Sequence, residues 1–254
     1  YERRIKHTCH NVKLLKNYVQ IMGEAFRSTV YSSDQIGKIL GYFSTKFQYK
    51  LLSFYKEKKV VDLIKNIKND VNFAFFPYEA YMLYSIAKSQ RELDGDMAEV
   101  GVYQGGSARL ISEVKGDRKL FLFDTFIGLQ ELSDDDTHFG KKHWKKNEFS
   151  DTSLERVNDY LSSFNNIQII KGEFPKTSES INNSKFSFVH LDVDLYKSTI
   201  ECLNFFYPRL VKGGIILVHD YHSDGIQKAF KEFLQDNKIH LIELTGSQSM
   251  IIKD

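Results

Sequence analysis

The stretch DMAEVGVYQGGSARLISEVKGDRKLFLFD, residues 96–124, predicts the fold of this chain. It begins with an apolar run over residues 97–102 and continues through Gly101, Gly105 and Gly106 into a segment of helical composition. Glycine permits a sharp turn or a close approach of the backbone to another group. The pattern therefore predicts a strand, a glycine-rich turn and a helix, in that order.

The second half of this stretch completes the unit. Ser107 is expected to be the N-cap of a short helix over residues 108–114. The apolar residues 120–123 predict a second strand, and Asp124 stands at its end. Two parallel strands joined in this way hold a cofactor that contains a nucleoside, with the glycines admitting it. Asp124 is then expected to accept hydrogen bonds from the ribose hydroxyls.

The spacing of the glycines indicates which nucleoside-containing cofactor to expect. A dinucleotide site has the pattern G-x-G-x-x-G, whereas Gln104 stands at the third position after Gly101. Glu99 lies inside the first strand, where an NAD site needs no carboxylate. The pattern E-x-G-x-x-x-G-G resembles the first motif of S-adenosylmethionine (SAM)-dependent methyltransferases. The alternative is a tight strand-to-helix turn in another α/β protein.

The composition is ordinary for a soluble globular protein. Of the 254 residues, 42% are hydrophobic and 27% are charged. Cys9 and Cys202 lie far apart, which argues against a disulfide framework and favours a reducing, cytoplasmic location. No apolar run approaches about 18 residues, so we expect no membrane span.

The first 70 residues differ in charge from the rest of the chain. They carry a net charge of +8, whereas the remainder carries −6. Apolar residues at helical spacing predict two or three helices here, with a looser join around residues 28–41. Aromatic residues are dense between Tyr42 and Tyr55, which indicates core or a subunit interface. We expect a helical extension over residues 1–70 that makes a homo-oligomer contact or binds an anionic partner; a solvated helical face is the alternative.

A long polar segment covers residues 125–150. It contains three consecutive aspartates and the basic run KKHWKK at residues 141–146, which includes Trp144. A structureless segment of this length within a compact domain is more often functional than not. We therefore expect an active-site lid, with a surface excursion as the alternative.

Helices and strands alternate along the rest of the chain. We predict strands over residues 167–170, 186–191, 214–218, 239–244 and 249–252, and helices over residues 154–164, 198–210 and 225–235. This alternation indicates an α/β fold with a doubly wound, mostly parallel sheet. The last two strands are expected to form an antiparallel hairpin.

Polar side chains gather where these strands end. Ligands bind at the carboxyl ends of the strands in such sheets. Carboxylates clustered there repel one another unless a cation or a proton intervenes, and carboxylate oxygens favour a hard divalent ion such as Mg²⁺. Helix capping is the alternative role, above all for Asp194. The residues concerned are Asp124, Glu173, Asp192, Asp194, His219 and Asp220.

Five segments together resemble one known family. They are DMAEVGVYQGGSA, LFLFDTFIGL, IIKGEFPKT, FVHLDVDLYKST and GGIILVHDY, in this order along the chain. They are similar to the macrocin-type (TylF-like) sugar O-methyltransferases over residues 73–254. The resemblance implies a seven-stranded, Rossmann-like SAM-dependent methyltransferase domain, over residues 71–254, that uses Mg²⁺. It also implies methylation of a hydroxyl on a sugar or a glycosylated natural product.

The resemblance also implies roles for individual residues. Asp194 corresponds to the general base, and Asp192 and Asp220 correspond to metal ligands. The family often has Asp-Asp-Tyr where this chain has His219-Asp220-Tyr221, so His219 becomes a third metal ligand or a base itself. The residues implied to bind the cofactor are Glu99, Gly101, Tyr103, Gly105, Ser107, Asp124, Gly172, Glu173 and Asp192.

Two other functions compete with this interpretation. A NAD-binding oxidoreductase is disfavoured by the glycine spacing, and a non-catalytic SAM-binding subunit by the retained Asp192, Asp194 and Asp220. Nucleic acid is not an expected partner, because no N-P-P-Y-like tetrapeptide follows the fourth strand. The expected partner is a small-molecule acceptor, a sugar or a glycoside.

Overall fold

A computed structural model describes residues 34–236 and 239–254. The chain forms two compact units, one that ends at Lys50 and one over Leu51–Asp254. The helix predicted around residues 5–22, together with Cys9, lies outside the described residues. The functional division at residue 70 stays a prediction.

The first two helices of the described part of the chain lie well before the first strand. Helix α1 (Asp34–Tyr55) runs without interruption, so the looser join predicted around residues 28–41 is wrong where the structure describes it. Gly41 lies within this helix, and one glycine costs a long helix only about 1 kcal/mol. Helix α2 (Lys58–Asp70) belongs to the second unit and buries an apolar stripe of Val60, Val61, Ile64 and Ile67.

The strands form one large sheet and one small hairpin. In chain order they are β1 (Asp96–Val100), β2 (Leu120–Asp124), β3 (Thr137–His138), β4 (Lys141–Lys142), β5 (Ile167–Lys171), β6 (Phe186–Leu191), β7 (Leu210–Val218), β8 (Leu241–Glu243) and β9 (Ser249–Ile252). The large sheet has the order β5-β2-β1-β6-β7-β9-β8. Strands β5, β2, β1, β6 and β7 pair in parallel, and β9 is antiparallel to β7 and β8. The predicted α/β sheet and its terminal hairpin are confirmed.

Helices pack around this sheet and bury its central strands. They are α3 (Pro77–Gln90), α4 (Gly106–Ser112), α5 (Leu154–Tyr160), α6 (Tyr196–Phe206) and α7 (Asp224–Asp236). All six residues of β6 are buried. Four of its six residues are apolar, as is typical of strands that are covered on both faces, and this composition predicted the strand to the residue. No described helix is both long and apolar enough to cross a membrane.

The helix after the glycine turn begins earlier than predicted. Gly105 is its N-cap, with a φ of 86°, and Ser107 lies buried in the first turn, so Ser107 is not the cap. A Cβ on Gly106 would approach the ring of Phe73 to 2.7 Å. Glycine is therefore needed at residue 106, because Phe73, in the connection between α2 and α3, packs against it.

The polar segment over residues 125–150 has structure of its own. Strands β3 and β4 form a hairpin within it, so the structureless loop that we predicted is wrong. Asp136 accepts a hydrogen bond from the backbone N–H of Tyr196 (2.7 Å), at the start of α6. Asp224, at the start of α7, accepts hydrogen bonds from the Thr137 hydroxyl and the Gly140 N–H, each 2.7 Å long. These contacts fix the hairpin against two helices that follow site-bearing strands.

Candidate functional site

The register of three strands brings the predicted residues to one edge. Val100 of β1 pairs with Leu191 of β6, and Leu191 pairs with Val218 of β7. The next residues, Gly101, Asp192 and His219, therefore follow three neighbouring strands at the same level. Their backbones continue the ladder: Asp192 N donates to Val100 O and His219 N donates to Leu191 O, both at 2.9 Å. The glycine turn and the acidic residues thus lie side by side.

Gly101 is required by the protein itself. Its φ is 87°, and a Cβ at this residue would overlap the carbonyl oxygen of Asp192. A side chain here would push apart the ends of β1 and β6. The glycine turn is consequently placed directly against the strand that supplies Asp192 and Asp194.

Asp124 holds the glycine turn in place. One carboxylate oxygen accepts the backbone N–H groups of Val102 and Tyr103, each at 2.8 Å, and the other accepts that of Phe126 at 2.7 Å. A carboxylate has about four lone-pair positions, so Asp124 retains capacity for one further donor. It is therefore both a structural anchor of the turn and a group that can accept a ribose hydroxyl.

Gly172 and Glu173 follow β5 at the carboxyl edge of the sheet, next to Asp124. Gly172 has a φ of 139°, and its N–H donates to the carbonyl of Asp124 at 2.9 Å. Glu173 forms an ion pair with Lys176 at 2.7 Å. The Tyr103 hydroxyl donates to Asp151 at 2.7 Å, which joins the glycine turn to the end of the polar segment. The structure thus brings Gly101, Tyr103, Asp124 and Gly172 together.

Glu99 lies wholly inside the protein. One of its carboxylate oxygens is 2.7 Å from Nδ1 of His190, and both side chains are completely buried. Burial raises the pKa of Glu99 to about 8, although the Ser107 hydroxyl acts in the opposite direction. Burial also lowers the pKa of His190 to about 4. Both side chains are therefore neutral near pH 7, and the Glu99 carboxyl shares its hydrogen bond with a neutral imidazole.

We expect Glu99→Gln to change how stability depends on pH. The folded protein keeps the Glu99 proton up to a pKa of about 8, whereas the unfolded chain releases it near 4.5. The contribution of the Glu99 proton to the free energy of unfolding is complete below pH 4.5. It is lost as the pH rises to 8, at about 1.4 kcal/mol per pH unit. Glutamine carries no such proton. Urea unfolding measures the free energy of unfolding at pH 5.5 and at pH 8. Between these pH values, that of the variant should rise relative to that of the wild type by on the order of a few kcal/mol.

The exposed residue Glu179 supplies the control for this experiment. Glu179→Gln removes a carboxyl from the surface of the protein, and so tests whether the loss of any one carboxyl has the same effect. A Glu99→Gln variant that follows the wild type at both pH values would show that Glu99 is ionised in the folded protein.

Three side chains at the ends of β6 and β7 converge. Ligand atoms from Asp192, His219 and Asp220 all lie within 4.8 Å of one another. Nδ1 of His219 is 2.9 Å from Asp220 Oδ2 and 3.4 Å from Asp192 Oδ1. The predicted metal ligands therefore form one cluster, and Asp194 follows it two residues beyond Asp192.

The far side of His219 faces residues that sequence reasoning missed. Nε2 lies 3.6 Å from Glu79 Oε2 and 3.3 Å from the hydroxyl of Ser247. Glu79 in turn accepts the N–H and O–H of Ser247, both at 2.8 Å. The ring of Phe75 stacks on the imidazole with a centroid distance of 4.1 Å. Carboxylates that orient a metal-binding histidine in this way are frequent partners of metal sites.

The charges of this cluster determine its protonation. Burial lowers the pKa of His219, but the carboxylates of Asp220 and Asp192 outweigh it and raise that pKa well above its usual range. Burial raises the pKa of Asp192 to about 6. Burial, with the charges of Asp220 and Asp192, raises the pKa of Asp194 well above its usual range. Asp194 therefore binds a proton more readily than a free aspartate does.

The donor set suits a divalent cation. Two carboxylates and one imidazole offer oxygen and nitrogen, which are ligands for Mn²⁺, Fe²⁺ or Zn²⁺ as well as for Mg²⁺. The cluster fits an ion because its three ligand atoms already lie within 4.8 Å of one another. It lies beside the glycine turn, so an ion and a nucleoside cofactor would be neighbours at this edge.

A seven-stranded sheet of this order, with a glycine turn after β1 and carboxylates after β2, β6 and β7, defines a Rossmann-like fold of the methyltransferase type. A family profile described as macrocin-O-methyltransferase (TylF) matches residues 84–245. The chain belongs to this macrocin-O-methyltransferase family, as its motifs predicted.

Individual relatives agree with this assignment. The 8-demethyl-8-(2,3-dimethoxy-alpha-L-rhamnosyl)-tetracenomycin-C 4'-O-methyltransferase of Streptomyces olivaceus is 28% identical over 151 residues, which are 55% of this chain and 58% of that protein. The mycinamicin III 3''-O-methyltransferase of Micromonospora griseorubida is 29% identical over 152 residues, which are 55% of this chain and 60% of that protein. The chain thus spans a little over half the length of these relatives.

A solved structure shares the fold. The calicheamicin methyltransferase CalS11 superimposes with a TM-score of 0.61 at 18% identity, and the match covers 87% of this chain and 93% of that chain. At this level of identity the comparison establishes the α/β fold alone.

Proposed function

We propose that this protein transfers a methyl group from SAM to a hydroxyl of a sugar or a glycosylated natural product, with a divalent ion assisting. The observation that carries the proposal is the convergence of Asp192, His219 and Asp220 beside the glycine turn. The name of the Streptomyces olivaceus relative, which specifies O-methylation of a rhamnosyl compound, supports it. Incubation with isotope-labelled SAM and a panel of glycosides, followed by mass spectrometry of the sugars, tests it.

We infer that SAM would lie along the carboxyl ends of β1, β2 and β5. When bound, it supplies an electrophilic methyl group on a sulfonium. Asp124 would accept ribose hydroxyls, while Tyr103 and the backbone of the glycine turn would line the same side. Gly172 and Glu173 would face the adenine. Glu99 and Ser107 are buried, so their part would be to keep β1 and α4 in position beneath the cofactor.

The replacement Asp124→Ala is expected to weaken SAM binding. The carboxylate anchors the glycine turn through three backbone N–H groups and would also bind the ribose. Hydrogen bonds to a charged group contribute about 1.5–3 kcal/mol, so calorimetry should show a Kd raised by about 10-fold or more. Asp159→Ala, on the exposed surface of α5, is the matched control. Tight NAD binding without SAM binding would contradict the proposal.

We propose separate roles for the acidic residues. Asp192, His219 and Asp220 would hold a divalent ion, which when bound lowers the pKa of an acceptor hydroxyl. Asp194 would take the proton as the methyl group moves. Its backbone lies in the left-handed region (φ 61°), so the chain does not continue as an extended strand beyond the end of β6. Glu79 would keep the His219 ring oriented with Nδ1 toward the two carboxylates.

The polar segment would act as the lid that its length predicted. A series of ring contacts runs through it from the glycine turn to the end of β7. Tyr103 contacts Phe149, and Trp144 lies between Phe149 and His143. His138, on β3, contacts both His143 and His222. We infer that this lid covers the reacting groups and excludes water.

Homo-oligomer formation would use the exposed aromatic face of α1. Phe43 and Phe47 are 64% and 62% exposed, one helical turn apart. Exposed apolar patches often mark a protein contact. We expect Phe43→Glu combined with Phe47→Glu to reduce the mass measured by light scattering to that of a smaller assembly, and Lys50→Glu to leave it unchanged. A mass unaffected by the double replacement would refute this contact. The cytoplasmic location stays a prediction.

A further inference from the structure

The hydrogen bonds around His219 determine which of its two ring nitrogens can bind an ion. The Ser247 hydroxyl donates to Oε1 of Glu79 at 2.8 Å, so its only proton is committed to that carboxylate. Toward Nε2 of His219, 3.3 Å away, the same hydroxyl can therefore only accept. In the neutral imidazole, the form that binds a metal ion, Nε2 thus carries the proton and Nδ1 presents its lone pair.

Nδ1 of His219 is a buried nitrogen that faces two carboxylates. The residue is 8% exposed, and Nδ1 has no hydrogen-bond partner among the residues that the structure describes. Oδ2 of Asp220 lies 2.9 Å away and Oδ1 of Asp192 lies 3.4 Å away. An unprotonated ring nitrogen and carboxylate oxygens are all acceptors, so a cation between them would stabilise the group.

The distances within this group match those between ligands of one ion. Nitrogen and oxygen atoms about 2.0–2.2 Å from a metal lie about 2.8–3.6 Å from one another at octahedral or tetrahedral angles. The separations of 2.9 Å and 3.4 Å from Nδ1 of His219 both fall within this range. Nδ1 can therefore bind an ion together with each of the two carboxylates.

Neighbouring side chains hold the imidazole of His219 in this orientation. Phe75, which is 4% exposed, stacks on the ring with the two planes 13° apart. Oε2 of Glu79 lies 3.6 Å from Nε2. Glu79 is itself fixed by the backbone N–H groups of Phe76 and Ser247, each of which donates to it at 2.8 Å. These contacts direct Nδ1 toward the two carboxylates before an ion binds.

We propose that this site selects a divalent transition-metal ion over Mg²⁺, and that Glu79 is the positioning residue that gives His219 this selectivity. The inference rests on the proposed function and names the class of ion that it uses. Mg²⁺ prefers oxygen ligands and retains water, whereas imidazole nitrogen is a good ligand for transition-metal ions. An oriented His219 therefore adds affinity for a transition-metal ion that Mg²⁺ does not gain.

Calorimetry of the full chain with Mn²⁺ and with Mg²⁺ tests this inference. The wild type should bind Mn²⁺ at least about tenfold more tightly than Mg²⁺. In His219→Asp, which has oxygen ligands alone, the ratio of the two Kd values should fall by about tenfold or more. His240→Asp, at an exposed position directly before β8, is the matched control and should leave the ratio unchanged.

A second variant tests the role of Glu79. Glu79→Gln should raise the Kd for Mn²⁺ by about 10- to 100-fold and that for Mg²⁺ by less, because the amide offers a donor where the carboxylate only accepts. An unchanged Kd for Mn²⁺ in a folded Glu79→Gln variant would remove Glu79 from this role. If that variant does not fold, the wild-type ratio and His219→Asp still decide the selectivity.

A spectroscopic signature distinguishes direct binding from a structural role of His219. Electron spin echo envelope modulation of bound Mn²⁺ should show a directly bound ¹⁴N nucleus in the wild type and in His240→Asp, and none in His219→Asp. A wild type that lacks this signal, that binds neither ion, or that binds Mg²⁺ within tenfold of Mn²⁺ would overturn the inference. So would a ratio of Kd values that His219→Asp leaves unchanged.

Methyl transfer, measured separately, distinguishes this inference from the proposed function. Methyl transfer by a wild type that binds both ions equally would leave the proposed function standing and reject the selectivity. The expected selectivity and nitrogen signal, without methyl transfer to any glycoside, would keep the inference and reject the proposed function.

Discussion

The replacement Asp194→Asn is expected to slow methyl transfer by about 10²- to 10⁴-fold, the usual contribution of a general base. Asparagine keeps the size of the side chain but accepts a proton far less readily. Asp194 follows Asp192 by two residues, and its raised pKa, caused by burial and by the charges of Asp220 and Asp192, suits a proton acceptor. Single-turnover rates with SAM and an acceptor glycoside would measure the effect.

Binding measurements distinguish this role from a structural one. If Asp194 only receives the proton, Asp194→Asn should bind SAM and Mn²⁺ as tightly as the wild type does. Asp117→Asn, at an exposed position away from the edge, serves as the matched control for both rate and affinity. A full rate in Asp194→Asn would remove this residue from the chemistry.

The replacements Asp192→Asn and Asp220→Asn are expected to abolish metal affinity and activity together. Each removes one charged oxygen from a cluster of only three ligand atoms. Loss of an outer partner of a metal site typically costs about 10- to 100-fold in affinity, and loss of a ligand should exceed this. Calorimetry with Mn²⁺ and Mg²⁺, in parallel with turnover assays, would show whether the two losses coincide.

His219 distinguishes between two versions of this site. If it is a ligand, His219→Ala should lose metal affinity together with rate, as the two aspartate variants do. If it is a base, the same variant should keep metal affinity and lose rate alone. Full activity after exhaustive chelation with EDTA would contradict metal assistance and leave Asp194 and His219 as the acid–base pair.

The sequence predicts the central sheet well because its strands are covered on both faces. Residues 186–191 are mostly apolar and wholly buried, and Asp192 follows directly after them. The carboxyl-edge residues could be predicted for the same reason, since carboxylates directly after a buried strand are expected at the edge of the sheet. The cluster of Asp192, His219 and Asp220 follows from strand order.

Other features depend on contacts that the local sequence does not show. Glu79 meets Ser247 across 168 residues of chain, and neither stands in a motif. Strands β3 and β4 have two polar residues each, too few for an alternating pattern, so their hairpin was not predictable. The start of α4 was misplaced because Gly105, and not Ser107, provides the left-handed cap.

The most direct test of the proposed function follows a labelled methyl group from SAM. The full chain is incubated with ¹³C-methyl SAM and a panel of glycosides, with Mg²⁺ in one series and EDTA in the other. The proposal predicts a labelled O-methyl sugar and an equal amount of S-adenosylhomocysteine with Mg²⁺, and a strongly reduced yield with EDTA. Tight SAM binding without label in any glycoside would contradict the proposal that this protein is a sugar O-methyltransferase.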